Sequence, residues 1–373
     1  MYLSKDEEEM LERGDDVAKA MQILVTIGKM FEAERLIKIR SAHVSGISYD
    51  NIGDAGLEFL ESLKAKFSVP TTINPAGFDL LRWKEMRIDD EFYNKQIRIL
   101  KALKDLGANL TLTCTPYYVN RPNFGDHLAW AESSAVVYAN SLIGARTNRE
   151  AGITSIAAAI TGRTAYFGLH IKENRAPTVK VKVSGNLALA GYILGKELKG
   201  NEIPYVIFEK KPLEFELKLF SASLATSSGI AMFHSPEITP EAEDFEVPRE
   251  KIEVEGKGEK SCDADLIAIG CPHTSREELK TILELLNGEK VKKNFWIFTS
   301  RKIFEESKDL VEKLEKLGVK VFCDTCMVVS PATDKFNCLM VNSAKALHYI
   351  PLRRKCHVSF SSLEDCVRYA KSP

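Results

Sequence analysis

Residues 265–286 read DLIAIGCPHTSREELKTILELL. The opening DLIAIG is a short apolar run of strand length, and SREELKTILELL has the three- and four-residue apolar spacing of an amphipathic helix. Ser275, followed three residues on by Glu278, is the pairing that caps a helix start. Strand, short connection and helix make one βα unit, and the pattern recurs downstream. NFWIF (294–298) and VKVFC (319–323) read as strands, and KIFEESKDLVEKLEKLG (302–318) as a helix. It also recurs upstream. RLIKIRSAHVSGIS (35–48) is a strand running into a glycine-containing loop, LEFLESLKAKF (57–67) a helix, and VPTTINPAGFD (69–79) a strand and loop. NKQIRILKALKDLG (94–107) is a helix stopped by Gly107, and NLTLTC (109–114) a further strand. Such alternation predicts an α/β protein with mostly parallel sheets, flanking helices and several lobes.

The chain opens with a predicted helix capped by Ser4 and Glu7, whose apolar face is Met10, Leu11, Val17, Met21 and Leu24. Residues 133–170 are rich in Ala, Ser, Asn and Gly, which lets backbone approach closely around a ligand. In the middle, TVKVKVSG (178–185) is β-rich, a Gly/Ala-rich helix covers about 187–199, and the Pro/Glu-rich 235–261 reads as an exposed connection. Three segments follow: an N-terminal α/β lobe over 1–175, a middle α+β segment over 176–262 and a C-terminal α/β lobe over 263–373.

Of the 373 residues 45% are hydrophobic and 28% charged, as in ordinary globular proteins. A formal net charge of −1 leaves no basic excess for neutralising phosphates, so broad nucleic-acid binding is not expected. No apolar run is long enough for a membrane span, and the acidic start MYLSKDEEEM is no secretory signal. Eight cysteines in such a chain suggest a reducing compartment, the cytoplasm, where they stay thiols or hold a metal.

Three of those cysteines sit where α/β proteins bind ligands, at carboxyl ends of strands. Cys114 ends NLTLTC and precedes Thr115-Pro116; Cys271 follows DLIAIG and precedes Pro272-His273; Cys326 lies just past VKVFC. Cys323 shares a face with Val319 and Val321 and reads as a packed core thiol. Several readings are open. His273 could complete a Cys₃His zinc site, although no second C-x-x-C is present. C-x-x-C could be a redox pair, although MVVSP after Cys326 does not start a helix. All eight could be structural thiols. Three thiolates on a cubane iron–sulfur cluster would leave one iron open as a Lewis acid.

AESSAVVYANSLIGARTNREAG (131–152), TLTCTPYY (111–118), IGCPHTSREEL (269–279) and CDTCMVV (323–329) resemble the aconitase X family, large-subunit type, over essentially the whole chain. The resemblance implies an aconitase-superfamily-like fold and a hydro-lyase. It also implies an iron–sulfur cluster, [4Fe-4S] in type, held by Cys114, Cys271 and Cys326. A separate small subunit would complete a heterodimer and supply a serine base. In archaeal members the substrate is (R)-5-phosphomevalonate, dehydrated to trans-anhydromevalonate 5-phosphate in a modified mevalonate route. This form is expected because the chain ends at 373 without an appended smaller domain. Bacterial relatives act instead on cis-3-hydroxy-L-proline, and a cluster-free binding or regulatory role is the alternative of another class.

The same resemblance points to residues around a small anionic substrate. Gly46, Ile47 and Ser48 would hold a phosphate or carboxylate through backbone N–H groups and a hydroxyl, or else form a plain turn. Asn74 before Pro75 would aim an amide inward. Glu132 and Ser133 lie in the most distinctive segment, beside Ser134, Asn140 and Ser141, which together suggest a lined pocket. Lys345 would meet the substrate's anionic end. Arg146 and Arg149 fit structural pairing better than substrate binding. His273 is expected to hydrogen-bond a thiolate or sulfide rather than ligate.

Overall fold

The computed structural model describes every residue except 199, 250 and 259–261. The last position of the expected middle helix and four positions of the expected connection therefore lie outside the described residues.

The first part contains strands β1 (Leu36–Lys38), β2 (Ser41–Val44), β3 (Thr71–Ile73), β4 (Leu128–Trp130) and β5 (Arg163–Ala165). Its helices are α1 (Lys5–Glu12), α2 (Asp16–Met30), α3 (Tyr49–Ser62), α4 (Asp90–Asp105), α5 (Ser133–Tyr138) and α6 (Gly152–Thr161). β3, β2 and β4 make a parallel sheet in that order, while β1 and β5 form an antiparallel ribbon. The expected opening helix is two helices. Gly14 takes a left-handed φ of +73°, and Asp15 starts α2 afresh by accepting from Val17 and Ala18 N–H at 2.9 and 3.3 Å. The helix expected over 57–67 is α3, shifted earlier to Tyr49–Ser62 and broken at Gly53, whose φ of +58° separates its first turn from the rest. NLTLTC is not a strand. Asn109 alone bridges Thr72, and Leu112 at φ +45° turns the backbone off the ladder before Thr113 N–H rejoins the Ile73 carbonyl at 3.0 Å. Cys114 still arrives beside the carboxyl end of β3.

The middle part is a parallel sheet of β6 (Val179–Gly185), β7 (Pro204–Phe208) and β8 (Lys251–Gly256), ordered β7-β6-β8, with α7 (Leu187–Glu197) and α8 (Glu214–Ser227). β8 emerges from the stretch expected to be an exposed connection. Its alternation decides this: Val254 is buried while Glu253 and Glu255 face solvent.

The last part holds β9 (Leu266–Thr274), β10 (Asn294–Thr299), β11 (Lys320–Cys323), β12 (Cys338–Val341) and β13 (His357–Phe360), an all-parallel sheet ordered β11-β10-β9-β12-β13. Around it lie α9 (Arg276–Leu286), α10 (Arg301–Glu306), α11 (Lys308–Lys316), α12 (Ala344–Arg353) and α13 (Leu363–Lys371). Ser275 and Glu278 form the predicted capping box on α9. The helix expected over 302–318 breaks at Ser307 into α10 and α11. Every residue of β9 is buried because helices and loops cover both sheet faces. Ile267 and Ile269 join the core on one face, Leu266 and Ala268 that on the other. Cys262 and Cys338 are joined in a disulfide with Cα atoms 6.5 Å apart, contrary to the expectation that all eight cysteines stay thiols or hold a metal. They meet because Cys262 lies just before β9 and Cys338 begins its neighbour β12.

The loop between Cys323 and Cys326 is fixed from the first part. Asp324, at φ +64°, gives its carbonyl to Ala76 N–H at 2.7 Å, while Asp79 accepts from Cys323 N–H at 2.7 Å. Arg301 bridges the buried carboxylates of Asp79 and Asp324. Arg301→Met leaves those two carboxylates facing each other without a counter-charge. We expect a loss of about 3 kcal/mol, the low end for a broken buried pair because the guanidinium is partly exposed, measured as a lower urea midpoint.

Candidate active site

Two parallel sheets turn their carboxyl ends toward one cavity of about 300 Å³. From the first sheet, β2 leads into Gly46, Ile47 and Ser48, β3 into Asn74 and Pro75, and β4 into Glu132 and Ser133. From the second, β9 carries Cys271, the loop after β11 carries Cys326, and the turn after β12 leads into Lys345 on α12. Cys114 enters from beside β3. All eleven of these residues, the three cysteines and the eight expected around the substrate, line this cavity.

Lys345 and Glu132 form an ion pair across the cavity wall. Lys345 Nζ also lies 3.4 Å from Ser133 Oγ and 3.5 Å from Ser134 Oγ. Glu132 accepts from Ser134 Oγ at 2.9 Å and from Asn74 Nδ2 at 2.7 Å. Burial alone would raise the Glu132 carboxyl, but the Lys345 charge and these hydrogen bonds outweigh it and bring the pKa down to about 2. Burial pulls Lys345 the other way, yet Glu132 and the neighbouring thiols leave it raised. Both side chains are charged throughout the neutral range.

The three cysteines are buried free thiols. Burial, with the Glu132 charge beside it, pushes the Cys114 thiol up to about 12. Cys271 and Cys326 share a hydrogen bond, which raises Cys271 and eases Cys326 toward the thiolate. The His273 N–H donates to Cys114 Sγ at 3.3 Å, favouring its thiolate once a cation arrives. The His273 ring does not face the thiols. Its Nε2 donates to the Thr325 carbonyl at 2.8 Å, which leaves Nδ1 to accept from Thr113 Oγ1 at 3.0 Å. With both nitrogens occupied, the ring cannot complete a zinc site, and the contact expected of it comes from the backbone instead. Among the described residues no three His, Cys, Asp or Glu side chains are grouped tightly enough for a single metal ion. Three soft donors around one cavity, without a fourth, fit a cluster better than a lone cation.

Comparison with known proteins gives this arrangement its family. Sequence profiles of the Aconitase X first, second and third domains match residues 1–173, 177–262 and 264–372. The chain belongs to the aconitase X family. It is 46% identical over 99% of its length to a phosphomevalonate dehydratase large subunit of Methanosarcina mazei, covering 97% of that protein. The large subunit from Methanocaldococcus jannaschii is 40% identical, over 99% of this chain and all of the other. A cis-3-hydroxy-L-proline dehydratase of Pseudomonas aeruginosa is 33% identical over 96% of this chain and 68% of its own length. The crystal structure of Thermococcus kodakaraensis aconitase X (holo-form) matches with a TM-score of 0.89 at 40% identity, covering 99% of this chain and 100% of that one. The aconitase X fold is thus the mixed α/β arrangement of mostly parallel sheets described above. Among the described residues no helix is long and apolar enough to cross a membrane.

Sequence reasoning missed several lining residues of this aconitase X cavity, Asp50, Asn51, Tyr349, Arg353 and Arg354, and gave Arg149, which also lines it, a structural place. A signal was available for two of them, since Tyr349 and Arg353 follow Lys345 at four-residue steps and so share its helix face. Arg149 donates to the Ala225 and Ser228 carbonyls at 3.1 and 3.3 Å from the cavity edge. Arg146 has the expected structural place, donating to the His170 carbonyl at 3.2 Å. Asn140 and Ser141 do not line the cavity. Asn140 ties Thr147 to Ala231 and Ser141 accepts from Phe233 N–H. Cys323 is a buried core thiol outside it.

The depressed Glu132 pKa fixes a pH dependence. Its stabilising contribution is complete above the ordinary value of 4.5 and is lost as pH falls toward about 2. Lys345, being raised, contributes fully below the ordinary lysine value and is lost only above it. The stability gap between the native chain and Glu132→Gln should therefore be constant near neutrality and narrow between pH 4.5 and 2, as followed by urea unfolding at each pH.

Proposed function

We propose that this chain is the large, catalytic subunit of an iron–sulfur hydro-lyase that dehydrates (R)-5-phosphomevalonate to trans-anhydromevalonate 5-phosphate, in a heterodimer with a small subunit, in the cytoplasm. The observation that carries it is the convergence of Cys114, Cys271 and Cys326 in a cavity whose charged lining is cationic. Arg149, Lys345, Arg353 and Arg354 stand against Glu132 and Asp50, four cations to two carboxylates.

Cys114, Cys271 and Cys326 would hold the cluster. Bound there, a [4Fe-4S] cluster keeps one iron free of protein ligand and supplies the Lewis acidity that helps a hydroxyl leave as water. The rest of the chemistry falls to side chains. Lys345, fixed by Glu132 and the serines beside it, meets the substrate carboxylate. At the far end Ser48 has a buried hydroxyl without a partner, directly at the start of α3, and Gly46 at φ +75° exposes the backbone beside it. Arg353 reaches the same end, donating to Asn51 Oδ1 at 2.7 Å. An unsatisfied hydroxyl, the backbone N–H groups of the turn that follows it and arginines favour a phosphate. Glu132 is already engaged by Lys345, Asn74 and Ser134, so the base is assigned to a serine of the small subunit. Cis-3-hydroxy-L-proline has an ammonium where phosphomevalonate has a dianion, and the cationic surplus disfavours it.

Anaerobic reconstitution with iron and sulfide, followed by addition of the small subunit, should give a brown protein that dehydrates (R)-5-phosphomevalonate and leaves cis-3-hydroxy-L-proline untouched. Turnover of the amino acid alone would reverse the substrate assignment. Cys326→Ser should lose both visible absorption and turnover while the apo chain still folds. Lys345→Ala should keep the absorption and raise KM or suppress turnover. Arg353→Ala removes a charge-assisted contact and should raise KM about tenfold or more with the cluster intact, as for a lost hydrogen bond to a charged group.

A further inference from the structure

Behind the cavity wall lies a chain of side chains with a single consistent arrangement of protons. His43, on β2, is fully buried and edge-on to Trp130 with ring centroids 6.2 Å apart. Its Nε2 lies 2.9 Å from Asn74 Oδ1 and its Nδ1 2.8 Å from Thr72 Oγ1. Asn74 in turn points its amide nitrogen at the Glu132 carboxylate. A carboxylate only accepts, so the Asn74 group 2.7 Å from it must be the NH₂, and Oδ1 is left to face His43. A carbonyl oxygen also only accepts, so His43 Nε2 must carry the proton. Nδ1 then bears the lone pair and accepts from the Thr72 hydroxyl.

We infer that His43 is a positioning residue for the reaction: its Nε2–H tautomer locks the Asn74 amide so that the NH₂ end holds Glu132, and through Glu132 aims Lys345. The opposite tautomer would leave two lone pairs facing each other at His43 or, with the amide turned round, at Glu132. The Asn74 carbonyl oxygen, which can only accept, sets the tautomer; the Thr72 hydroxyl follows it by donating to Nδ1, and burial keeps the ring neutral. His43 touches neither the cavity nor the thiols, and acts only through Asn74. The importance for turnover rests on the function proposed above, whereas the tautomer does not.

The test uses the full chain labelled with ¹⁵N-histidine, with the His43 signals assigned by their loss in His43→Gln. Long-range ¹H–¹⁵N correlation should report a neutral ring with the proton on Nε2. Glutamine places an NH₂ where Nε2 sits, whereas asparagine reaches only the Nδ1 position. His43→Gln should therefore keep slow exchange of the Asn74 side-chain amide protons and most of the turnover in the reconstituted complex. His43→Asn should lose that protection and turn over about 10- to 100-fold more slowly, as for removal of an outer-shell partner. A proton on Nδ1, a charged ring, or equal losses in the two variants would overturn the assignment. Should both variants fail to fold, the His43 signals are assigned by elimination, from single substitutions of the six other histidines, and the tautomer in the unmodified chain decides. A correct tautomer in a complex inactive on phosphomevalonate would refute the substrate and uphold the lock.

Discussion

The ion pair between Glu132 and Lys345 is the contact on which the site depends. Its two members come from different sheets, one from the turn after β4 and the other from the turn after β12. Neither sheet alone could keep its charge buried, because an unpaired ion in that setting would neutralise instead. Paired, each compensates the burial of the other, so closing the two sheets together and charging the site are one event. The hydrogen bonds from Asn74 and Ser134 satisfy the remaining carboxylate lone pairs, the condition under which a buried pair avoids a net penalty.

Neutral groups around the pair are used with equal care. His43 and His273 are both wholly buried, and burial brings each pKa down to about 4. Each ring has a threonine hydroxyl on Nδ1 and an obligate acceptor on Nε2, so each is held in one tautomer. One ring orients the amide behind Glu132. The other pins the Thr325 carbonyl, and so the loop that brings Cys326 toward Cys271. Histidine serves here as a rigid two-ended connector rather than a proton carrier.

Much of this was legible in the chain itself. The βα units around β9, β10 and β11 were readable because their strands are short apolar runs and their helices carry capping residues. The three cysteines were readable because each sits just past such a run, at or near its carboxyl end. Other features were hidden for physical reasons. Leu112 turns NLTLTC off its ladder through a positive φ, a conformation rare for leucine and imposed by tertiary packing. β8 was obscured by flanking proline and glutamate, although its alternation of burial is plain once β6 is beside it. The network behind the site joins Thr72, His43, Asn74 and Glu132 from three strands, and no sequence spacing reports the lateral register of strands. Arg353 could have been found from the helix face of Lys345, whereas the position of Arg149 at the cavity edge is set by its contacts with the Ala225 and Ser228 carbonyls, which no spacing reports.

The two ends of the cavity differ in how complete they are. Around Glu132 every polar atom named has a partner, and the geometry is set before any substrate arrives. Around Ser48 a buried hydroxyl has none, although polar groups buried in folded chains are nearly always hydrogen-bonded. Local rules tend to be broken where function requires it, and an unsatisfied donor beside two arginines is such a breach. On the function proposed above, the complete end would govern the reacting carbons, where a small displacement is costly. The incomplete end would then gain its last partners from the ligand, and binding energy from a remote phosphate would draw the substrate into a reacting end already in place.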